Sequence, residues 1–233
     1  MKGMIIFCVF IMILVFAQFA QGQTLDEVLD KHLAAMGGKE KLATLNSVHM
    51  EGNLTVQGTD VGVAITKLYN VGTRSDIAVM GTQNYMITTM TKGTVFMPVF
   101  GQSSPNPMPD DQWKAEQPML DLHGVFVDYT TKGTQLELKG KETVDGMECY
   151  KVAATFKNGS TINFYIDTKT DRIYKTTTKL TVNGEAVESF TNFTNYKQNA
   201  DGFWFAYSTT NSRGTTDFDK IETNIKVDES IFK

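Results

Sequence analysis

The sequence predicts an α+β fold in which a strongly curved antiparallel sheet, an incomplete β-barrel, is covered by a few helices. From Val48 onward, apolar and polar residues alternate with a period of two over most of the chain, as in strands with one buried face. Turn pairs such as Asp145-Gly146 and Asn158-Gly159 separate these segments and are typical of hairpins. Many short strands joined by hairpins favour one large curved sheet.

The strands are predicted from this alternation and from the turns between its segments. Between about 101 and 130 prolines interrupt the pattern; Asp110 is predicted to cap a short helix, and 117–126 is predicted to be helical. The predicted strands are 48–56, 61–69, 75–80, 83–91, 94–100, 134–142, 148–156, 160–166, 172–182, 186–196, 203–211 and 215–227.

One amphipathic helix is predicted before the first strand. Thr24 and Glu27 have the spacing of a capping box. Apolar residues from Leu25 to Met36 then recur at helical spacing on one face, and the glycine pair that follows supplies a left-handed cap. His32 lies on the apolar face, where a packed core histidine is the expected outcome.

The first 22 residues have the pattern of a secretory signal peptide. Lys2 precedes an apolar run, and Ala20 and Gly22 place small residues at −3 and −1 of a cleavage site before Gln23. The alternative is an uncleaved membrane anchor, since the run approaches the length that spans a bilayer. With cleavage, residues 23–233 are predicted to be a single domain in the periplasm or the extracellular space.

The composition of residues 23–233 indicates which class of partner is excluded and what stabilises the fold. Lys2 is the only charged residue before Gln23, so 21 of the 22 basic and all 26 acidic residues remain, for a charge of −5. This mild acidity predicts no nucleic-acid partner. Cys149 is the only cysteine left, so stability must come from an apolar core without an intramolecular disulfide.

Few residues indicate catalysis. His49 and Glu51 form a pair that can bind a metal, without a third ligand at a recognisable spacing. Cys149 has no base near it in sequence and is predicted to be a buried structural thiol, and His123 is predicted at the surface or at a cap. The sequence contains no nucleophile elbow, phosphate-binding loop or dinucleotide fingerprint, so no cofactor and no enzymatic activity are predicted.

Two strands of the first half suggest a covered inner face. Segments 85–90 and 95–100 carry large side chains on both faces, whereas a solvated face would show polar residues. Helices or a ligand must therefore cover the second face. Several methionines fall in or beside these strands; their soft side chains suit a promiscuous apolar pocket, and they suit an irregular core equally well.

Several segments share the pattern of one known family. They are 25–29, 35–42 and 48–52, then 73–76, 92–98, 140–150 and 165–167, and finally 195–197, 201–205 and 227–232. On these segments the chain resembles the LolA-like outer-membrane lipoprotein-sorting proteins, a superfamily that includes LolB and LppX, and in style their Bacteroidetes-type members. The resemblance covers nearly all of residues 23–233.

This resemblance implies an incomplete barrel, closed by helices, around an apolar cavity for acyl chains. It implies lipoprotein acyl chains or another lipid as ligand, membrane-associated donor and acceptor proteins as partners, and a monomer. In characterised carriers an arginine near the end of an early strand holds the lid. Arg74 fits this position best, although Gly72-Thr73-Arg74-Ser75 replaces the family's Lys-Arg-Pro pattern.

The predicted cavity combines apolar residues of the strands and of the first helix, which is predicted to serve as a lid. The lining is predicted to be Leu29, Leu33, Met36, Met50, Ile65, Met86, Met90, Phe96, Val99, Phe100 and Leu120. Two alternatives stay open. One is an envelope interaction module that holds a protein partner on its curved sheet, and the other is a metal-dependent hydrolase that uses His49 and Glu51.

Overall fold

A computed structural model describes residues 23–79, 81–182 and 184–233. The predicted signal peptide, residues 1–22, lies outside the described residues. No helix in the described ranges has the length and apolar character needed to cross a membrane.

The described residues form 13 strands, four α-helices and three 3₁₀ turns. The strands are β1 (Ser47–Val56), β2 (Thr59–Leu68), β3 (Gly72–Val79), β4 (Thr82–Thr89), β5 (Gly93–Phe96), β6 (Asn106–Pro107), β7 (Gln135–Val144), β8 (Met147–Thr155), β9 (Thr161–Asp167), β10 (Ile173–Val182), β11 (Glu185–Gln198), β12 (Trp204–Asn211) and β13 (Gly214–Thr223). The helices are α1 (Leu25–Ala35), α2 (Lys39–Leu42), α3 (Asp110–Glu116) and α4 (Tyr129–Lys132), and the 3₁₀ turns are Pro98–Phe100, Gln117–Leu120 and Glu229–Phe232.

All the strands belong to one antiparallel sheet. Two meanders, β1 to β6 and β7 to β13, join where β1 pairs with β13, and β6 and β7 are the two edges. Three strands separate β4 from β13, yet the Arg213 Nη1 before β13 lies 3.8 Å from the Met86 Sδ on β4. The sheet is therefore strongly curved, and the predicted incomplete antiparallel barrel with a few helices is confirmed.

A glycine permits the close pairing of β1 with β13. The register of this pair shifts between Glu51 and Gly52. A Cβ at Gly52 would lie 2.0 Å from the carbonyl oxygen of Asp217, so no other residue fits here without moving the backbone. Irregularities of this kind bend a strand and increase its twist, which contributes to the curvature of the sheet.

Helix α1 begins and ends as the sequence predicts. The Thr24 side chain accepts a hydrogen bond from the Glu27 N–H at 3.3 Å, and the Glu27 carboxylate accepts one from the Thr24 N–H at 3.0 Å. At the other end, Gly38 donates to the carbonyl of Leu33 at 2.8 Å across the positive φ of Gly37. This is the Schellman arrangement, in which glycine accommodates the left-handed turn.

The apolar face of α1 is part of the core. Val28 and Leu29 are 1% and 4% exposed. They pack with Val125 and Phe126 against the inner side chains of β8 and β9, which are Tyr150, Val152, Ala154, Ile162, Phe164 and Ile166. Helix α1 therefore fills one half of the curved sheet and does not merely cover it.

His32 is a core histidine, as predicted. It is 6% exposed, and its Nδ1–H donates to the carbonyl of Asp171 at 2.8 Å, in the turn before β10. Its ring meets Phe126 edge-on at 5.2 Å. Burial disfavours the charged imidazolium and lowers the pKa of His32 from 6.5 to about 4.

The region between 101 and 130 differs from the prediction. The short helix α3 forms, but Asp110 does not cap it: Asp110 is its first residue, Pro109 is at the N-cap position, and no side chain caps the helix. The helix predicted over 117–126 is replaced by the 3₁₀ turn Gln117–Leu120. The Leu120 carbonyl accepts the N–H of Asn70 at 3.0 Å, and Gly124 turns the chain with a φ of +96°. A tertiary hydrogen bond and a turn thus replace the continued helix. The strand predicted over 94–100 ends at Phe96, because Pro98 cannot donate to the ladder.

Residues 110–120, here called the closing segment, bridge the two halves of the sheet. On the β4 side, Trp113 Nε1 donates to the Thr89 carbonyl at 3.0 Å. On the other side, the Asn158 side chain of the β8–β9 turn donates to the Lys114 carbonyl at 2.8 Å, and the Asp111 carboxylate accepts the Thr181 N–H of β10. Because β4 and β10 are distant in the sheet order, this segment crosses the concave side.

Candidate ligand-binding site

An apolar cavity of about 190 Å³ lies between α1, α2, the loop after the closing segment and the ends of β10 to β12. This cavity, called the apolar cavity below, has mostly hydrocarbon walls. The lining residues are His32, Leu33, Met36, Leu42, Leu45, Leu122, His123, Gly124, Val125, Phe126, Ile173, Tyr196, Phe203, Trp204 and Phe205. Apolar cavities of about 150 Å³ in proteins stay dry and accept small apolar molecules. The site therefore has the size and chemistry to hold a segment of hydrocarbon.

Polar contacts behind the lining hold its aromatic wall in place. The Phe203 N–H donates to Asn199 Oδ1 at 2.9 Å, and the Asn199 amide donates to the Thr223 hydroxyl at 3.0 Å. Tyr196 donates its hydroxyl proton to the Ile173 carbonyl at 2.7 Å, and burial raises the pKa of Tyr196. These groups are satisfied by the protein itself, so the surface that they leave to the cavity is apolar.

Arg172 connects the end of α1 to the aromatic wall. Its guanidinium carbon lies 3.9 Å from the centre of the Trp204 ring, and its Nη2 donates to the Ala35 carbonyl at 3.3 Å. The cation–π contact and the bond to a helix C-terminal carbonyl both favour the positive charge. Arg172 therefore fixes the helix end beside the cavity.

A second cavity, of about 240 Å³, adjoins the first and is more polar. This polar cavity is lined by Tyr69, Asn70, Met90, Gln117, Pro118, Asp121, Val125, Lys132, Thr134, Phe156, Lys157 and Asn158. Lys132 donates to the Asp121 carboxylate and, at 3.1 Å, to the Gly124 carbonyl. Asn70, Met90 and Lys157 are exposed, so this side opens to solvent.

His123 is packed between elements, although the sequence placed it at the surface or a cap. Its ring stacks on Tyr69 with the centroids 3.9 Å apart. Its Nε2 is buried and has no hydrogen-bond partner within the described residues. Burial lowers the pKa of His123 because it disfavours the charged imidazolium. Nothing in the sequence around His123 signals this packing, because Tyr69 is distant in the chain.

The residues predicted to line one cavity lie in several different places in the structure. Leu33 and Met36 line the apolar cavity, and Met90 lines the polar one. Leu29 and Leu120 are buried at 4% and 1% exposure, Leu29 in the core beside β8 and β9. The two cavities together thus contain three of the eleven predicted lining residues, and contact of any of the eleven with a ligand stays a prediction.

The remaining predicted lining residues lie on the sheet or beside its β6 edge. Met50 and Ile65 belong to a second core cluster formed by β1, β2 and β13. Met86 is contacted by Arg213, as described above. The other three surround the Pro98–Phe100 turn: Phe96 packs against Tyr85 at 5.3 Å, whereas Val99 and Phe100 are 39% and 83% exposed.

Arg74 holds the C-terminal turn. Its guanidinium donates to both Asp76 carboxylate oxygens at 2.8–3.0 Å, and its Nη1 donates to the Ile231 carbonyl at 3.1 Å. Phe232, 3% exposed, packs so closely on Gly72 that a Cβ there would lie 2.8 Å from its ring. Within the described residues, the side-chain hydrogen bonds of Arg74 go to Asp76 and Ile231, and none goes to α1.

Replacing Arg74 with glutamine is expected to loosen this turn. A half-buried charged hydrogen bond contributes about 1.5–3 kcal/mol, so we expect the free energy of unfolding to fall by about that amount. Hydrogen exchange of residues 229–233 should accelerate, whereas the exposed Arg213→Gln variant should leave it unchanged. Unaltered exchange in Arg74→Gln would show that the packing of Phe232 alone holds the turn.

The side chains of His49 and Glu51 contact each other, and His49 also contacts Thr66. His49 Nε2 lies 2.9 Å from the Glu51 carboxylate, and His49 Nδ1 lies 2.9 Å from the Thr66 hydroxyl. Across the ranges 23–79, 81–182 and 184–233, no group of three or more His, Cys, Asp or Glu residues is placed to hold a metal. Cys149 is fully buried, and burial raises the pKa of its thiol to about 11, which confirms the predicted buried thiol.

Comparisons with known proteins agree with the observed fold. No protein-family model and no curated protein matches the sequence. A DUF1329 family protein from Desulfovibrio piger has a similar crystal structure, with a TM-score of 0.55 and 14% identity over 90% of this chain and 97% of that one. A LolA superfamily protein from Nitrosomonas europaea gives 0.54 and 13% over 91% and 98%. These likenesses show a LolA-like fold, as the sequence resemblance implied.

Proposed function

We propose that residues 23–233 form a single-domain, monomeric carrier in the periplasm that binds the acyl chain of a lipoprotein or another lipid without catalysing a reaction. The observation that carries this proposal is the apolar cavity between α1 and the aromatic wall of the sheet. The LolA-like fold and the signal-peptide pattern of residues 1–22 support it. Membrane-associated donor and acceptor proteins are the partners that such a carrier requires.

The energetics of chain burial suit reversible transport. Each buried CH₂ group contributes about 0.8 kcal/mol, so a chain of modest length is held without a covalent bond. The cavity, at about 190 Å³, is smaller than the roughly 300–1,000 Å³ typical of ligand sites. It therefore takes up part of a chain as it stands, and the rest must lie outside it or displace the loop at 121–128. Release requires a second apolar environment.

Filling the cavity is the direct test of this function. The Met36→Trp variant is expected to weaken binding of a fluorescent fatty acid by about tenfold or more, which corresponds to about 1.4 kcal/mol or more. Ala34→Trp is the matched control, because Ala34 is exposed in the last turn of α1, close to Met36, and the variant adds an equal ring outside the cavity. Thermal unfolding of both variants checks that the fold is retained.

Lipid bound to the native protein gives a second readout of the same function. Organic extraction of the purified protein followed by mass spectrometry should recover acyl-chain lipids from the wild type and fewer from Met36→Trp. The carrier function is contradicted if no lipid co-purifies and no fatty-acid probe binds.

An envelope interaction module is the second candidate, because an apolar surface projects from the sheet near its β6 edge. Val99 and Phe100 expose 39% and 83% of their surfaces at the Pro98–Phe100 turn. Exposed apolar clusters of this kind often contact another protein. Under this alternative, Phe100→Ser removes the function in cells, whereas Met36→Trp leaves it intact.

A further inference from the structure

The polar and apolar cavities are separated by a thin wall. Val125 is 9% exposed and lines both cavities. Beside it, His123 lines the apolar cavity and Tyr69 the polar one, and their two rings are stacked. One aliphatic side chain and one ring pair therefore divide the apolar cavity from the polar cavity.

The polar cavity carries a net positive charge. The charged residues of its lining are Lys132, Lys157 and Asp121, so two ammonium groups face one carboxylate. Lys132 is paired with Asp121, whereas Lys157 makes no salt bridge to any described residue. Lys157 is exposed at the opening. An ammonium group in a partly enclosed cavity without a counter-ion favours an anionic ligand group there.

The wall also contains an unsatisfied polar atom. His123 Nε2 is buried and lacks a hydrogen-bond partner in the described part of the chain. Buried polar atoms are nearly always satisfied in folded proteins, by protein, water or ligand. By this rule a water molecule or a ligand group is expected beside this nitrogen.

We infer that the two cavities form one site for a single-chain anionic amphiphile. Its carboxylate or phosphate headgroup lies beside Lys157 at the opening, and its acyl chain passes Val125 into the apolar cavity. This inference rests on the proposed binding of acyl chains and adds the class of ligand. The passage requires a change of rotamer at Val125 or a shift of the loop at 121–128, in which Gly124 has a φ of +96°.

Calorimetric titration with three ligands of equal chain length tests the inference. Palmitate and palmitoyl lysophosphatidate are anionic, and monopalmitoylglycerol is neutral; each is used below its micellar concentration. We expect the anionic ligands to bind about tenfold more tightly than the neutral one, the effect of one favourable charged contact. The tighter of the two anionic ligands then identifies the headgroup as carboxylate or phosphate.

Charge variants separate the headgroup contact from the binding of the chain. Lys157→Gln is expected to lower the affinity for both anionic ligands about tenfold and to leave the affinity for the neutral ligand unchanged. Lys179→Gln is the control, because Lys179 is exposed on β10 outside both cavities. Val125→Ala, which thins the wall, should bind all three ligands at least as tightly as the wild type.

The outcomes distinguish this inference from the proposed function. If all three lipids bind with equal affinity and Lys157→Gln changes none of these affinities, the inference fails while acyl-chain binding stands. An equal loss for all three lipids in Lys157→Gln also overturns it, because the lysine would then support the structure and not the headgroup. If no lipid binds, and Met36→Trp behaves as the wild type does, the proposed function fails and the inference fails with it.

Discussion

Replacing Leu29 with alanine is expected to lower the free energy of unfolding by about 2–5 kcal/mol, the range found for large-to-small changes in packed cores. Leu29 is 4% exposed and packs with Val152 and Phe164, which are also buried. These partners stand on neighbouring strands of a continuous sheet, so they cannot move inward to fill the space that the variant leaves. The loss combines the missing hydrophobic burial with the cavity left behind.

Urea denaturation measures this loss, and a second variant on the same helix serves as the control. Lys31 is exposed, so Lys31→Ala should change the free energy of unfolding by no more than about 0.5 kcal/mol. A loss in Leu29→Ala as small as that of the control would contradict the placement of α1 in the core. It would instead support a detachable helix, the lid that the sequence predicts.

Lowering the pH from 7 to 5 is expected to remove about 2 kcal/mol of stability through His32. Folding lowers the pKa of His32 from 6.5 to about 4, because burial disfavours the imidazolium. The unfolded chain therefore takes up the proton first as the pH falls. The contribution is complete above pH 6.5, and it is lost progressively as the pH falls from 6.5 towards 4.

Comparison with His32→Gln isolates this effect. Urea denaturation at pH 7, 6 and 5 should show a decline in the wild type that is about 2 kcal/mol larger than in the variant. The series stops at pH 5 because carboxylates with lowered pKa values, such as Glu51 and Asp111, lose their contribution at lower pH. His123 titrates in both proteins, so its contribution to the pH dependence cancels in the comparison. Equal declines in the two proteins would contradict a buried neutral His32.

The fold follows from local patterns, and the sequence therefore predicted most of it. Alternation and turn glycines placed the long strands, and the Thr24–Glu27 box and the glycine pair placed both ends of α1. Two errors have different physical causes. The helix predicted over 117–126 ends early because Leu120 bonds to Asn70, which is far away in the chain. The strand predicted over 94–100 ends at Phe96 because Pro98 cannot donate to the ladder. Only the first of these errors required knowledge of a tertiary contact.

The candidate site was less accessible to sequence reasoning, because its walls come from distant parts of the chain. Leu33 of α1 and Met36, which follows α1 as its C-cap, meet Trp204 and Phe205 of β12 only after the sheet has curved. Three consecutive aromatic residues, 203–205, are the one visible signal, since an alternating strand does not need them on both faces.

A crystal structure with a fatty acid brominated at its terminal carbon tests the central claim most directly. Anomalous scattering locates the bromine, and hence the end of the chain, without reliance on the shape of the density. The account predicts a bromine peak inside the apolar cavity, within contact distance of Met36 and Phe205. A peak at the exposed Phe100, or no peak at a saturating ligand concentration, would contradict it.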